Sequence, residues 1–211
     1  MFLCTDRLAV IALVSACTAP VVLVAPSAPT APTAPAPPAL FAELVRPTAT
    51  WTFTGETRNV EGTDRNTVAG EVTCTASGRT IRQGWATAIA CSGMSHAELV
   101  DGTYVITQAG MWLVIDEVTD DARLPADQML IAAVPAPIER QTEDDQYGYK
   151  IGEAWKARAH GGAWCISHDD WGGDEGGWAL CIQAGKGIVG GSGYFAGGFT
   201  HDTFFGDVPG Y

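Results

Sequence analysis

Lysine is almost missing from this chain: only Lys150, Lys156 and Lys186 occur, and Lys and Arg together number 12 against 24 Asp and Glu in 211 residues. The resulting net charge of −12 leaves no basic surface able to displace counterions from a phosphate backbone, so no nucleic-acid partner is expected. No apolar run is long enough to cross a bilayer as a helix; the N-terminal stretch Leu8–Val14 is far short of that length. Helical patterning is also scarce. From Gly152 onward, pairs such as Gly161-Gly162, Gly172-Gly173 and Gly190-Gly191 exclude helices of any length. Finally, no two cysteines stand at the Cys-x(2–4)-Cys spacing that a four-cysteine zinc site requires.

The length suits one ordinary domain or two very small ones. Residues 1–17 have the layout of a short export signal: Met-Phe-Leu-Cys-Thr-Asp-Arg, the apolar Leu8–Val14, then small residues before Cys17. Residues 18–39 hold seven of the 12 prolines among Ala, Thr and Ser, which excludes a helix or a central strand. Such a stretch is a tether. In polyproline II conformation, at ~3.1 Å per residue, it reaches up to roughly 70 Å.

Val14-Ser15-Ala16-Cys17 resembles the lipobox of bacterial lipoproteins. In that family the small residues admit lipoprotein signal peptidase, and the cysteine becomes the acylated N-terminus. The resemblance implies a signal peptide over residues 1–16, lipid on Cys17, a tether over 17–44, an envelope domain over 45–211 and the membrane as partner through the lipid. Thr18 is not the aspartate that commonly marks inner-membrane retention, which favours the outer membrane. The alternative is cleavage near Ala25 or Ala28 and a secreted protein. The layout as a whole is similar to uncharacterised envelope lipoproteins of myxobacterial type, a resemblance that carries no activity with it.

Loss of the signal and acylation of Cys17 leave Cys74, Cys91, Cys165 and Cys181, an even number in an oxidising compartment. Three pairings are open. The separations of 17 and 16 residues, each across a β-patterned stretch with a central turn, favour Cys74–Cys91 and Cys165–Cys181, each stapling one hairpin and contributing roughly 3 kcal/mol by loop closure.

Period-two alternation predicts strands over 49–58, 68–76, 85–91, 103–107 and 111–115, with shorter ones at 163–167, 178–182 and 193–200. One short helix is expected over Pro125–Val134, where proline opens a stretch with Met129, Leu130 and Ala133 at helical spacing. The fold expected is therefore mainly β, an antiparallel sandwich or open barrel with one short helix and two hairpin disulfides. Gly-Trp-Ala at 84–86 and again at 177–179, each followed by a cysteine, suggests two similar halves, 45–134 and 135–211.

Chemistry concentrates at His168-Asp169-Asp170-Trp171-Gly172-Gly173-Asp174-Glu175. Read as a hairpin tip, it offers His168, Asp169, Asp170 and Asp174 as ligands for Ca²⁺, although the spacing is not that of an EF-hand, and a solvated turn needs the same polar and glycine residues. Trp171 is the tryptophan of the seven expected to be exposed, and so a candidate binding residue. Gly172-Gly173-Asp174-Glu175 is similar to the turn of diguanylate cyclases, but Gly176 stands where that family has an aromatic. Gly190-Gly191-Ser192-Gly193-Tyr194 fails the nucleophile elbow at its last position. Glu143-Asp144-Asp145 reads as a solvated loop. Together these features favour a non-catalytic binding or structural module without a cofactor, facing an envelope protein or polymer. A metal-assisted envelope hydrolase and a lipid carrier are the alternatives.

Overall fold

The computed structural model describes residues 36–61, 64–114, 130–132, 136–146, 149–172, 176–196 and 200–207. The expected signal with Cys17, most of the expected tether, and Asp174 lie outside these residues.

Twelve strands are described: β1 (Ala49–Glu61), β2 (Asp64–Ile81), β3 (Gly84–Ser92), β4 (Gly102–Thr107), β5 (Gly110–Val114), β6 (Leu130–Ala132), β7 (Ile138–Gln146), β8 (Tyr149–His160), β9 (Ala163–Trp171), β10 (Gly176–Gln183), β11 (Gly187–Phe195) and β12 (Thr200–Gly206). All neighbours are antiparallel, in the order β6-β5-β4-β3-β2-β1-β12-β11-β10-β9-β8-β7. Each strand pairs with its successor except at β6 and β7, and the first pairs with the last, Gly55 opposite Phe205 through Val60 opposite Thr200. This is an up-and-down barrel circuit left open at one seam. Of the two architectures expected, the open barrel is the one found.

Alternation sorts the side chains into two faces. Val72, Cys74, Ala76, Ile89, Cys91, Ala157, Trp164, Ile166, Leu180 and Phe205 point inward and form one core. Two short 3-10 turns complete that core from inside: Ala39–Phe41, which with the following residues brings in Phe41 and Leu44, and Ala97–Val100, which brings in Ala97 and Val100. The second turn packs against β3, β10 and β11, strands distant in the sheet order, so it joins opposite walls of the curl. Gly193 makes room for it, since a Cβ there would stand 2.4 Å from the His96 carbonyl oxygen. The first is tied down by Thr87, whose buried hydroxyl donates to the Leu44 carbonyl at 2.6 Å, and by the Gly78 N–H, which donates to Arg46.

Both disulfides form as expected, between directly opposed residues of β2 and β3 and of β9 and β10, with Cα atoms 4.0 and 4.1 Å apart. They are not equivalent. Cys74–Cys91 belongs to the inner core, whereas Cys165 alternates with the inward Trp164 and Ile166 and bridges to Cys181 on the outer face.

Three expectations change. Leu130–Ala132, within the stretch expected as helix, is strand β6 paired to β5; three apolar residues in a row satisfy either period. The rest of 125–134 lies outside the described residues. Glu143-Asp144-Asp145 is exposed as foreseen but belongs to edge strand β7, where charge discourages pairing with another chain. His168 to Asp170 are no hairpin tip, because β9 continues through them, paired on both sides, and Trp171 still pairs with Gly152 of β8.

Candidate functional site

Because β9 runs through Ser167-His168-Asp169-Asp170-Trp171, alternation sends His168 and Asp170 to the inner face and Ser167, Asp169 and Trp171 to the outer one. The residues proposed as one ligand set are thereby split between two environments, and among the described residues no group of three or more His, Cys, Asp or Glu is placed to hold a metal ion.

On the inner face, register sets Trp155 of β8, His168 of β9 and Trp178 of β10 in one row. The imidazole stacks on Trp155, ring centroids 4.1 Å apart, and Trp178 meets Trp155 edge-on at 5.7 Å. Glu153 serves both rings: its Oε2 accepts the Trp155 indole N–H at 3.1 Å and lies 3.2 Å from His168 Nε2. A carboxylate that fixes an imidazole is half of an acid–base device, yet here the ring is held between indoles and the carboxylate is shared with one of them. Asp170 is committed to structure, accepting the Gly176 N–H at 2.6 Å where β9 and β10 approach their turn.

On the outer face two rows cross four strands. Ser167, Ala179, Ser192 and Phe204 are mutual partners, and so are Asp169, Gly177, Tyr194 and Asp202. The small residues in the middle leave a slot of about 190 Å³ lined by Ser167, Asp169, Ser192, Tyr194, Asp202 and Phe204. Gly177 lets one wall of it close, since a Cβ at that position would lie 2.4 Å from the Tyr194 ring and 2.8 Å from the Asp169 carboxylate, which converge above it. Burial pushes the Asp169 carboxyl above the ordinary carboxylate range; Lys156 and His168 oppose the shift and Asp170 adds to it. Trp171 is half-buried rather than exposed, its ring resting against Gly152.

A larger open groove of about 690 Å³ lies at the other end of the sheet, between Trp51 and Phe53 on one side and His160, Gln183, Lys186 and Asp207 on the other. The Trp51 indole N–H donates to the Lys186 carbonyl at 2.8 Å, which fixes one wall.

Glu153, Trp155, Ser167, Ser192, Tyr194 and Asp202 were not among the expected site residues. Period-two alternation in Ala-Trp-Cys-Ile-Ser-His-Asp-Asp-Trp already places Ser167 beside Asp169 on the face of Cys165. Nothing local to β9 announces Ser192 or Asp202, which arrive through the registers of β10, β11 and β12. In comparisons with known proteins, no family model, no curated protein and no solved structure matches this chain.

Proposed function

We propose that this protein is an envelope-anchored, non-catalytic binding module: lipid on Cys17 holds it to the outer membrane, the Pro-rich tether spaces it, and the open barrel engages an envelope protein or polymer. The carrying observation is that all four cysteines beyond Cys17 are paired within the barrel, a state that belongs to an oxidising compartment. The lipobox resemblance supports the anchor. Binding rather than catalysis is supported by the inner site, where Glu153 and His168 are engaged with Trp155, and by the outer slot, which offers shape and polar groups. No cofactor is needed for this role.

The test is the intact mass of the chain recovered from its native cells, with and without reduction. A chain beginning at Cys17, carrying acyl mass and gaining four hydrogens on reduction, is expected. A lipid-free chain beginning between Ala25 and Pro29 would replace the anchored protein with a secreted one, and a chain unchanged in mass on reduction would overturn the oxidising compartment as well.

A further inference from the structure

Resting on the binding role above, we propose that the outer slot on β9–β12 is a site for a linear aliphatic dication, a free di- or polyamine, with Asp169 at one end, Asp202 at the other, and Tyr194 and Phe204 as aromatic walls.

Four observations lead there. Ser167 is only 4% exposed, faces the slot, and among the described residues its hydroxyl has no hydrogen-bond partner. Its hydroxyl is not sealed in, since Trp164 Nε1 is the buried side-chain atom left without a partner among the described residues; the Ser167 hydroxyl is reached through the slot and is free to receive a ligand there. The two carboxylates face the same slot, and neither forms an ion pair among the described residues. They stand on β9 and β12, three strand spacings of about 4.8 Å apart, so roughly 14 Å between Cα atoms. That is far too wide for a single metal ion, whose oxygen ligands lie at about 2.3–2.6 Å. Two carboxylates lining one slot at that spacing instead suit an extended chain with a cation at each end.

The walls fit the same ligand. Phe204 already carries a cation on one face, the Arg58 guanidinium at 5.2 Å from the ring centroid; Arg58 stands opposite Asp202 in the β1–β12 register and is paired to Glu56 at 3.2 Å. The floor is Ala179, apolar enough for methylenes, beside the Tyr194 ring that covers Gly177. Size excludes larger ligands: about 190 Å³ is below the roughly 300–1,000 Å³ of pockets that enclose drug-sized molecules. The excess of acidic over basic residues, with a net charge of −12, further favours cations near the surface. Lys156, opposite Ser167 on β8, is the protein's own cation acting on the Asp169 end and opposes the upward shift of its carboxyl. The raised Asp169 carboxyl is what such a ligand relieves.

The experiment is calorimetric titration of the full mature chain, purified in detergent at low salt, with 1,5-diaminopentane and spermidine. Pentylamine, 1,5-pentanediol and methyl glucoside serve as the monocationic, neutral and sugar arms. The dications are expected to bind at least tenfold more tightly than pentylamine, with no heat from the diol or the sugar. Asp169→Asn and Asp202→Asn should each weaken binding at least tenfold, and Gly177→Ala should abolish it by driving the Tyr194 ring into the slot. The native near-ultraviolet circular dichroism of each Asn variant shows that it is folded. Equal binding of the diol or the sugar, unchanged affinity in both Asn variants, or no heat at millimolar dication would each overturn the proposal. The anchored binding role is judged separately by the mass measurement, so an anchored chain that ignores dications would sink the ligand class alone.

Discussion

Asp169 and Asp170 are neighbours in sequence and opposites in circumstance. Asp170 has a backbone N–H to accept, whereas Asp169 is half-buried on the outer face with its carboxyl raised by desolvation. A carboxyl whose folded-state pKa lies above its unfolded value binds its proton more tightly in the folded chain. Stability is therefore favoured below the unfolded value and declines as pH rises through the folded one. Asp169→Asn removes that decline. The variant is expected to be more stable than the parent at pH 7 by less than about 1 kcal/mol, a bound set by solvent screening at a partly exposed carboxyl. The difference should close below about pH 3, where the carboxyl is protonated in both states. Urea unfolding at the two pH values measures it, and a parent at least as stable as the variant at pH 7 would contradict the assigned environment. Retaining a charge that costs stability is intelligible if a ligand uses it.

At the scale of the element, the barrel depends on segments that lie inside it. Thr87 on β3 is 1% exposed and donates to the Leu44 carbonyl, linking the wall to the segment after the first 3-10 turn. Thr87→Val keeps the shape and removes the donor, leaving a buried carbonyl unpaired, so a loss of about 1–3 kcal/mol is expected. Thr54→Val, on an exposed position of β1, should stay within about 0.5 kcal/mol. Thermal unfolding of both variants decides it; equal melting temperatures would mean the tie carries no weight. Much of this level was legible in the sequence. Alternation in Ala49–Arg58 and Trp85–Cys91 marked β1 and β3, and the cysteine separations marked both bridges. Parity even explains why the bridges differ: Trp85 and Cys91 are an even number apart and share the inner face, whereas Trp178 and Cys181 are an odd number apart and do not. That difference separates the two Gly-Trp-Ala segments despite their likeness. Edge strand β7, Ile-Glu-Arg-Gln-Thr-Glu-Asp-Asp-Gln, stayed hidden because the charges that protect an open edge look like those of a loop. The slot stayed hidden for another reason. Its two acids are 33 residues apart, and only the registers of three intervening pairings bring them to one row.

For the whole molecule, the circuit of pairings is closed at β1–β12 and open between β6 and β7, so the two ends of the barrel's chain hold its middle together. At one end of the barrel the Ala36 carbonyl accepts from Gln108 at the β4–β5 turn, while the Asp169 row lies near the opposite ends of its strands. The asymmetry of the sheet also sets an order of local stability. β1, β2, β10 and β12 have neighbours on both sides and bury Val72, Cys74, Leu180 and Phe205 completely or nearly so, whereas β7 is paired only to β8 and exposes Gln141 to Asp145. Amide exchange follows the free energy of local opening, which is smallest where buried apolar contacts are fewest. Amides of β7 are therefore expected to exchange at least a hundredfold faster than the paired amides of β2 and β10, and those of β1 and β12 to exchange with the slow set despite lying at the two ends of the barrel's sequence. Hydrogen exchange read by mass spectrometry on peptides spanning 49–61, 70–81, 138–146, 176–183 and 200–206 provides the comparison. If β12 opened as readily as β7, the closing pair would not be the strut of the barrel, and the outer slot, half of which stands on β11 and β12, would lack the rigid frame that holds Asp202 opposite Asp169.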